Sequence, residues 1–221
     1  MELYNWAEEL TRQVFSQWKT NHAGWKQGFK LFYSPIKKNP KLLILSYNPG
    51  GDKNSFKKEL EQYENGNFSL PKNHEFTTKE YRMARRMCDF FIGYEKTLKM
   101  SVTLPIFFFR SKNINILDQN LAKQERKLMQ AFCDKLIEKI IFKLEPKNIL
   151  ILGMSTYDHL NKTQFHNLES ITRKDKKNHR VSIETKWNGK PIFVIKHPTG
   201  RDPTSNQDWE INKKRFFDIL E

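Results

Sequence analysis

The sequence predicts an α/β domain in which a mainly parallel sheet lies between two layers of helices, a three-layer α/β/α sandwich. Three observations predict it. The unbroken apolar runs Leu42-Leu43-Ile44-Leu45 and Ile149-Leu150-Ile151-Leu152 have the length of strands buried on both faces. Segments with apolar residues at steps of three and four stand between such runs. Strand and helix therefore alternate, the pattern that builds parallel sheets flanked by helices. The 221 residues suffice for one well-buried core. We read residues 1–221 as one domain, with 1–39 an N-terminal helix and loop decorating it.

In order along the chain, Leu3, Trp6, Leu10, Val14 and Trp18 form one stripe of an amphipathic helix over residues 3–20. A loop with Gly24, Gly28 and Pro35 leads to the first core strand, which Asn48-Pro49-Gly50-Gly51 ends. Residues 52–73 are polar, with Asn65-Gly66 and Pro71 as turn signals, and read as a long loop. Thr77 and Glu80 have capping-box spacing and are expected to open a helix with Tyr81, Ala84, Met87 and Phe91 on one face. Residues 102–109 are a second strand, irregular at Pro105. Leu121, Leu128, Phe132, Leu136, Ile140 and Leu144 mark a helix over 119–144 that Pro146 stops.

Residues 148–152 form a third strand running into Gly153, after which Ser155 is expected to cap a short helix. The lysine-rich stretch 172–180 reads as a loop or arm. Residues 181–185 and 190–196 flank Asn188-Gly189, a hairpin turn signal, and Trp209, Phe216 and Leu220 mark a closing helix.

Composition narrows the partners. There are 39 Lys and Arg against 25 Asp and Glu, a formal charge of +14, which favours a polyanionic partner and most simply nucleic acid. An aromatic content of 13% argues against disorder. No apolar run approaches the roughly 20 residues of a membrane helix, so no membrane association is expected. The N-terminal MELYNWAEEL lacks the layout of a signal peptide, and a cytoplasmic location is expected. Cys88 and Cys133 fall in apolar-periodic stretches and read as buried thiols. The six histidines show no metal-binding spacing, and neither a phosphate-binding glycine loop nor a nucleophile elbow is present. No metal or cofactor is expected.

In parallel α/β sheets the working site lies at the carboxyl ends of the strands. Two loops there carry chemistry: Ser46-Tyr47-Asn48-Pro49-Gly50-Gly51 after the first core strand, and Lys196-His197-Pro198-Thr199-Gly200-Arg201-Asp202-Pro203 after the last. In each, a polar side chain precedes a proline, which holds that residue extended and fixes where it points.

Together these motifs resemble the uracil-DNA glycosylase superfamily, whose first motif reads G-x-(D/N)-P-(G/Y) and whose last reads H-P-S. The nearest likeness is to the single-strand-selective monofunctional branch, where G-M-N-P-G is matched by Ser46 to Gly50. Its closing H-P-S-P-R-N-P, followed by Asn and Trp, is similar to the run from His197 to Pro203 with Asn206 and Trp209 beyond. The resemblance implies a monofunctional DNA glycosylase acting, as a monomer and without a cofactor, on single- or double-stranded DNA. Asn48 would hold the attacking water, and His197 would donate a hydrogen bond to the departing base.

Tyr47, Pro49 and Gly50 would line the base pocket, with Phe56, Tyr63 and Phe68 the candidates to stack on the base. Gly50 stands where some branches carry a tyrosine, which implies room beside the pyrimidine C5 edge. The loop of Thr199, Gly200 and Arg201 would enter the DNA, with Arg201 as plug or phosphate clamp. Arg110 and Ser111, ending the second strand, would contact phosphates.

The sequence departs from the family pattern in three places. Ser46 replaces the first glycine, the glycine-rich stretch after the first motif is missing, and residues 101–112 contain neither Asn nor Gln to read uracil. Thr103 and Asn113 are the nearest polar substitutes. Two alternatives share the fold: a nucleic-acid-binding module without cleavage, and a pocket for a free base or nucleotide.

Overall fold

The computed structural model describes residues 1–51, 53–112, 114–200 and 204–220. Six strands form one sheet in the order β2-β1-β3-β6-β5-β4. The strands are β1 (Leu43–Ser46), β2 (Val102–Pro105), β3 (Ile149–Leu152), β4 (Ser170–Lys174), β5 (Arg180–Trp187) and β6 (Lys190–Ile195). β2, β1, β3 and β6 pair in parallel, whereas β5 and β4 add antiparallel. The sheet is thus mixed and mostly parallel.

Side chains alternate across it. Leu43, Leu45, Leu104, Ile149, Ile151, Ile192 and Val194 enter one core with α1 (Glu2–Asn21), α6 (Ile114–Asn120), α7 (Lys123–Leu144) and α8 (Met154–Thr163). Ile44, Leu150, Leu152, Phe193 and Ile195 enter a second core with α4 (Arg82–Phe90), α5 (Glu95–Lys99) and α9 (Asn206–Leu220). Helices on both faces are compatible with the expected three layers, and they explain why the central strands read as unbroken apolar runs. Ala7, Leu10 and Val14 of α1 are at most 3% exposed, so residues 1–39 are part of the main core rather than a decoration.

Several local expectations give way. Residues 52–73 contain the helix α2 (Lys53–Glu64), because Phe56 reaches the core and Leu60 and Tyr63, one and two turns on, pack against it, while the other described side chains stay outside. His74, not Thr77, caps the short α3 (Glu75–Thr78), and α4 starts only after Tyr81. The regular pairing of the second strand ends at Pro105, opposite Ser46. α8 begins at Gly153, whose φ of +106° turns the chain without a side-chain cap from Ser155. Residues 172–180 are the end of β4, a turn and the first residue of β5, and Arg173 binds the Asp208 carboxylate at 2.6 Å. Cys133 is buried as expected, but Cys88 is exposed. Leu128 faces outward; the α7 stripe runs through Met129, Cys133, Leu136, Ile137, Ile140, Ile141 and Leu144.

The β5–β6 hairpin does form around Asn188 (φ +49°) and Gly189 (φ +75°), a two-residue turn with both central residues left-handed. A Cβ at Gly189 would meet no atom within 4 Å, so only the backbone opposes a side chain there. Gly189→Ala is expected to lower unfolding free energy by about 1 kcal/mol, measured by urea denaturation, with no change in m-value.

Candidate active site

The sheet order creates a switch point. From β1 the chain crosses to β2 on one side, and β3 then lies on the other, so the crevice outside the carboxyl ends of β1 and β3 is the natural ligand position. The register sets Ser46 level with Pro105 and Leu152, and Leu152 level with Ile195. Asn48, Gly153 and His197 therefore follow three adjacent strands at one edge. Two strand spacings, roughly 10 Å, separate the ends of β1 and β6. Gly153 stands between them, and a Cβ there would lie 3.6 Å from that of His197.

The Asn48 amide is fixed by its surroundings. Its Nδ2 donates to the carbonyls of Pro49 (3.0 Å) and Ser111 (2.9 Å). Two carbonyls can only accept, so they settle which end of the amide is nitrogen. Oδ1 accepts no hydrogen bond among the described residues and is the end left to hold a water.

His197 is fixed in the complementary sense. Its Nδ1 receives the Thr199 N–H (3.3 Å) and faces the Thr199 hydroxyl (3.2 Å). A backbone N–H can only donate, so in the neutral ring the proton sits on Nε2. Burial pushes the pKa of His197 down to about 4, which keeps the ring neutral at pH 7. The Gly200 N–H closes the turn onto the His197 carbonyl at 2.9 Å. The loop thus presents one neutral donor.

Other expected residues sit differently. Arg110 is 6% exposed. Its Nε donates to the Phe29 carbonyl (3.1 Å), its Nη1 to the Gly50 carbonyl (3.1 Å), and its Nη2 to Glu59 (2.6 Å). A guanidinium so engaged is an internal clamp, not a phosphate contact. Ser111 is buried as well; its N–H donates to the Pro49 carbonyl at 2.9 Å and its own carbonyl holds Asn48. Both residues thus support the Asn48 loop from behind.

Phe56 is 2% exposed and packs edge-on to Trp18 and Phe29, while Tyr63 stacks on Phe29 and Phe68. All three stacking candidates belong to an aromatic core cluster, where no ring face is open to a base. Tyr47 is half-buried, and its hydroxyl accepts from Arg126 (3.1 Å) and faces Gln130 of α7 (3.4 Å). Pro49 is buried. Gly50 is exposed, and a Cβ on it would meet nothing within 4 Å, so the space a tyrosine would fill is open. Thr103 is fully buried, with its hydroxyl 2.9 Å from His74 Nε2, and does not reach the strand ends. Arg201 and Asn113 lie outside the described residues.

Sequence reasoning missed Glu59, Lys30 and Glu75, the charges that surround Arg110. Lys30 pairs with both Glu59 and Glu75. It also missed Tyr33, whose hydroxyl lies against the Gly50 backbone. None of them stands in a motif; only Gly153, at a strand end, carried a signal. Two clefts, of about 500 and 230 Å³, are bordered by other residues. Among the described residues, no cluster of three or more His, Cys, Asp or Glu could hold a metal ion.

Compared with models of known protein families and with curated protein sequences, the chain matches none. No helix of the described residues is long and apolar enough to cross a membrane.

Two outcomes follow from this geometry. Arg110→Lys keeps the charge but cannot reach Phe29, Gly50 and Glu59 together, so unfolding free energy should fall by roughly 2–3 kcal/mol in urea titrations. His74, whose pKa burial also lowers to about 4, and His197 are both neutral when folded. Unfolded, each takes up a proton near pH 6.5. Their contribution to stability is therefore complete above about pH 6.5 and is lost as pH falls towards 4. Denaturation at stepped pH should show a smaller loss across that window in His197→Gln than in the wild type.

Proposed function

We propose that the protein is a monofunctional DNA glycosylase-like hydrolase of the uracil-DNA glycosylase type. It cleaves the N-glycosidic bond of uracil or a related damaged base flipped out of DNA. The observation that carries this reading is the pairing of a fixed amide oxygen at Asn48 with a neutral imidazole donor at His197, after β1 and β6 at the carboxyl edge of the sheet, with only β3 between them.

The chemistry needs those two groups. As the bond to the base breaks, the sugar acquires oxocarbenium character and the base departs as an anion. Asn48 Oδ1 accepts a hydrogen bond from the water that adds to the sugar C1′, and so orients it. The Nε2–H of His197 donates to the base oxygen where negative charge gathers. An imidazolium is not required, and the lowered pKa suits a neutral donor. The added water loses one proton to solvent, and the base anion takes one up from solvent after release.

Single- and double-stranded oligonucleotides bearing uracil, hydroxymethyluracil, hypoxanthine or xanthine should yield alkali-labile sites on incubation. His197→Ala should lower the rate by roughly 10²–10³-fold, the scale of losing one preorganised donor, and Asn48→Ala should lower it as well. Wild type indistinguishable from both variants on every substrate would overturn the proposal. A second reading is a catalytically inactive nucleic-acid-binding module, favoured by one observation: the only hydroxyl of β2 that could have replaced a base-reading amide, Thr103, is turned to His74. It predicts salt-sensitive DNA binding with no product.

A further inference from the structure

The open cleft of about 500 Å³ is bordered by Lys79, Arg82, Arg85 and Arg86, with Phe76 among its apolar residues. Two carboxylates, Glu80 and Asp89, also border it, so cations outnumber acids two to one. Arg82, Arg85 and Arg86 take part in no ion pair among the described residues, whereas Lys79 is paired with Glu75. Three arginines concentrated on one nine-residue helix, beside a concave surface and without ion-pair partners among the described residues, are not spread as solubility requires.

Their placement ties them to the strand-end edge. α9 starts at that edge, directly after the loop that carries His197. α4 runs alongside it in the same direction: Arg86 lies over the Trp209 ring at 4.9 Å, Phe91 meets Phe216, and Tyr94 stacks on Phe217. The N-terminal end of α4, with Arg82, Arg85 and Arg86, is thus at the same end of the molecule as Asn48 and His197. Its first turn contains no acidic residue, and no side chain caps it, so its backbone N–H groups add to the positive field. Trp209 holds Arg86 in place, and Arg82 and Arg85, three apart, stand about 5–6 Å from each other on the helix surface.

We propose that this arginine-lined cleft is the track for the sugar–phosphate backbone of the DNA strand whose base enters the strand-end site. Guanidinium forks suit phosphate oxygens, and unpaired ones bind them without first breaking an internal ion pair. The inference rests on the reading of the protein as a DNA-acting enzyme. It also relocates the phosphate contacts, since Arg110 is engaged inside the fold.

The test is binding of undamaged single-stranded oligonucleotide, followed by fluorescence anisotropy over a range of salt concentrations. Wild type is compared with Arg82→Gln/Arg85→Gln and with Lys135→Gln/Lys139→Gln, which removes the same charge from α7 on the other face of the sheet. Arg82 and Arg85 are exposed, so the fold is not at stake, and Arg86 is left in place on Trp209. The arginine variant should show a log–log salt dependence shallower by about 1.4, two contacts at about 0.7 each, with the lysine variant unchanged. Equal slopes in the two variants, or no binding by wild type, would refute the cleft. Base release is scored separately on damaged oligonucleotides. Cleft-dependent binding without release leaves this surface standing and removes the catalytic reading; release with cleft-independent binding does the reverse.

Discussion

Arg110 carries a charge into the buried interior, and the fold around it is shaped by the need to neutralise it. Glu59 comes from α2, the Phe29 carbonyl from the segment after α1, and the Gly50 carbonyl from the loop after β1. The backbone of Arg110 is held too: its N–H donates to Gly28 and its carbonyl accepts the Trp25 indole. Removing any one partner leaves a buried polar group unsatisfied, which costs more than the bond itself is worth. The next residue, Ser111, passes this rigidity to Pro49 and Asn48. The Asn48 amide is therefore the last member of a hydrogen-bonded chain that begins deep in the protein, and its orientation follows from charge burial some residues away.

The two groups at the strand ends are both neutral, and that matters in a chain of +14. Binding a polyanion would by itself raise the pKa of a nearby histidine, because phosphates favour the imidazolium. Burial acts in the opposite direction at His197 and prevails in the free protein, while Thr199 reserves Nδ1 and fixes the tautomer. On the proposed reading, attraction and chemistry would fall to different surfaces. Arg82 and Arg85, without ion-pair partners among the described residues, face solvent on α4, whereas the donor and the acceptor at the site are set by hydrogen bonds that salt does not screen strongly.

The sheet and the two loops were legible in the sequence because their signals are local. Leu42 to Leu45 and Ile149 to Leu152 read as strands since both faces are covered; Asn188-Gly189 declared its turn through the left-handed conformations it requires. α2 was not legible, because its stripe is only three residues, Phe56, Leu60 and Tyr63, in an otherwise polar segment, and the neighbouring Asn65-Gly66 and Pro71 suggested a loop. β4 was hidden for a similar reason: its five residues, an edge strand rich in exposed polar side chains, owe their conformation to pairing with β5. At the site, Asn48 and His197 were visible through the prolines after them. The role of Arg110 was not, for a surface arginine and a buried one look alike until Glu59 is brought beside it by the tertiary fold.

The departure from the family pattern at β2 has a physical consequence for selectivity. Beyond Pro105 the chain runs beside the end of β1 and the loop after it, and the N–H groups of Ile106, Phe107 and Ser111 donate to the carbonyls of Ser46, Tyr47 and Pro49. Thr103 is committed to His74, and Arg110 to the clamp. Among the described residues this segment thus offers the strand-end site none of those N–H groups and no side-chain amide. A site that reads a base with dedicated hydrogen bonds can reject an analogue by roughly 10⁴–10⁵-fold, while one that relies on shape and apolar contact achieves about 10–200-fold. On the proposed reading, discrimination would rest on shape, and the open space beside Gly50 tolerates substituents at the base edge. A catalyst with neutral, preorganised groups at the bond and a permissive pocket around the base selects by how readily a nucleotide leaves the stack. Damaged and mispaired bases leave it most easily, which makes the lesion's weak stacking, more than its hydrogen-bonding pattern, the feature such a site would respond to.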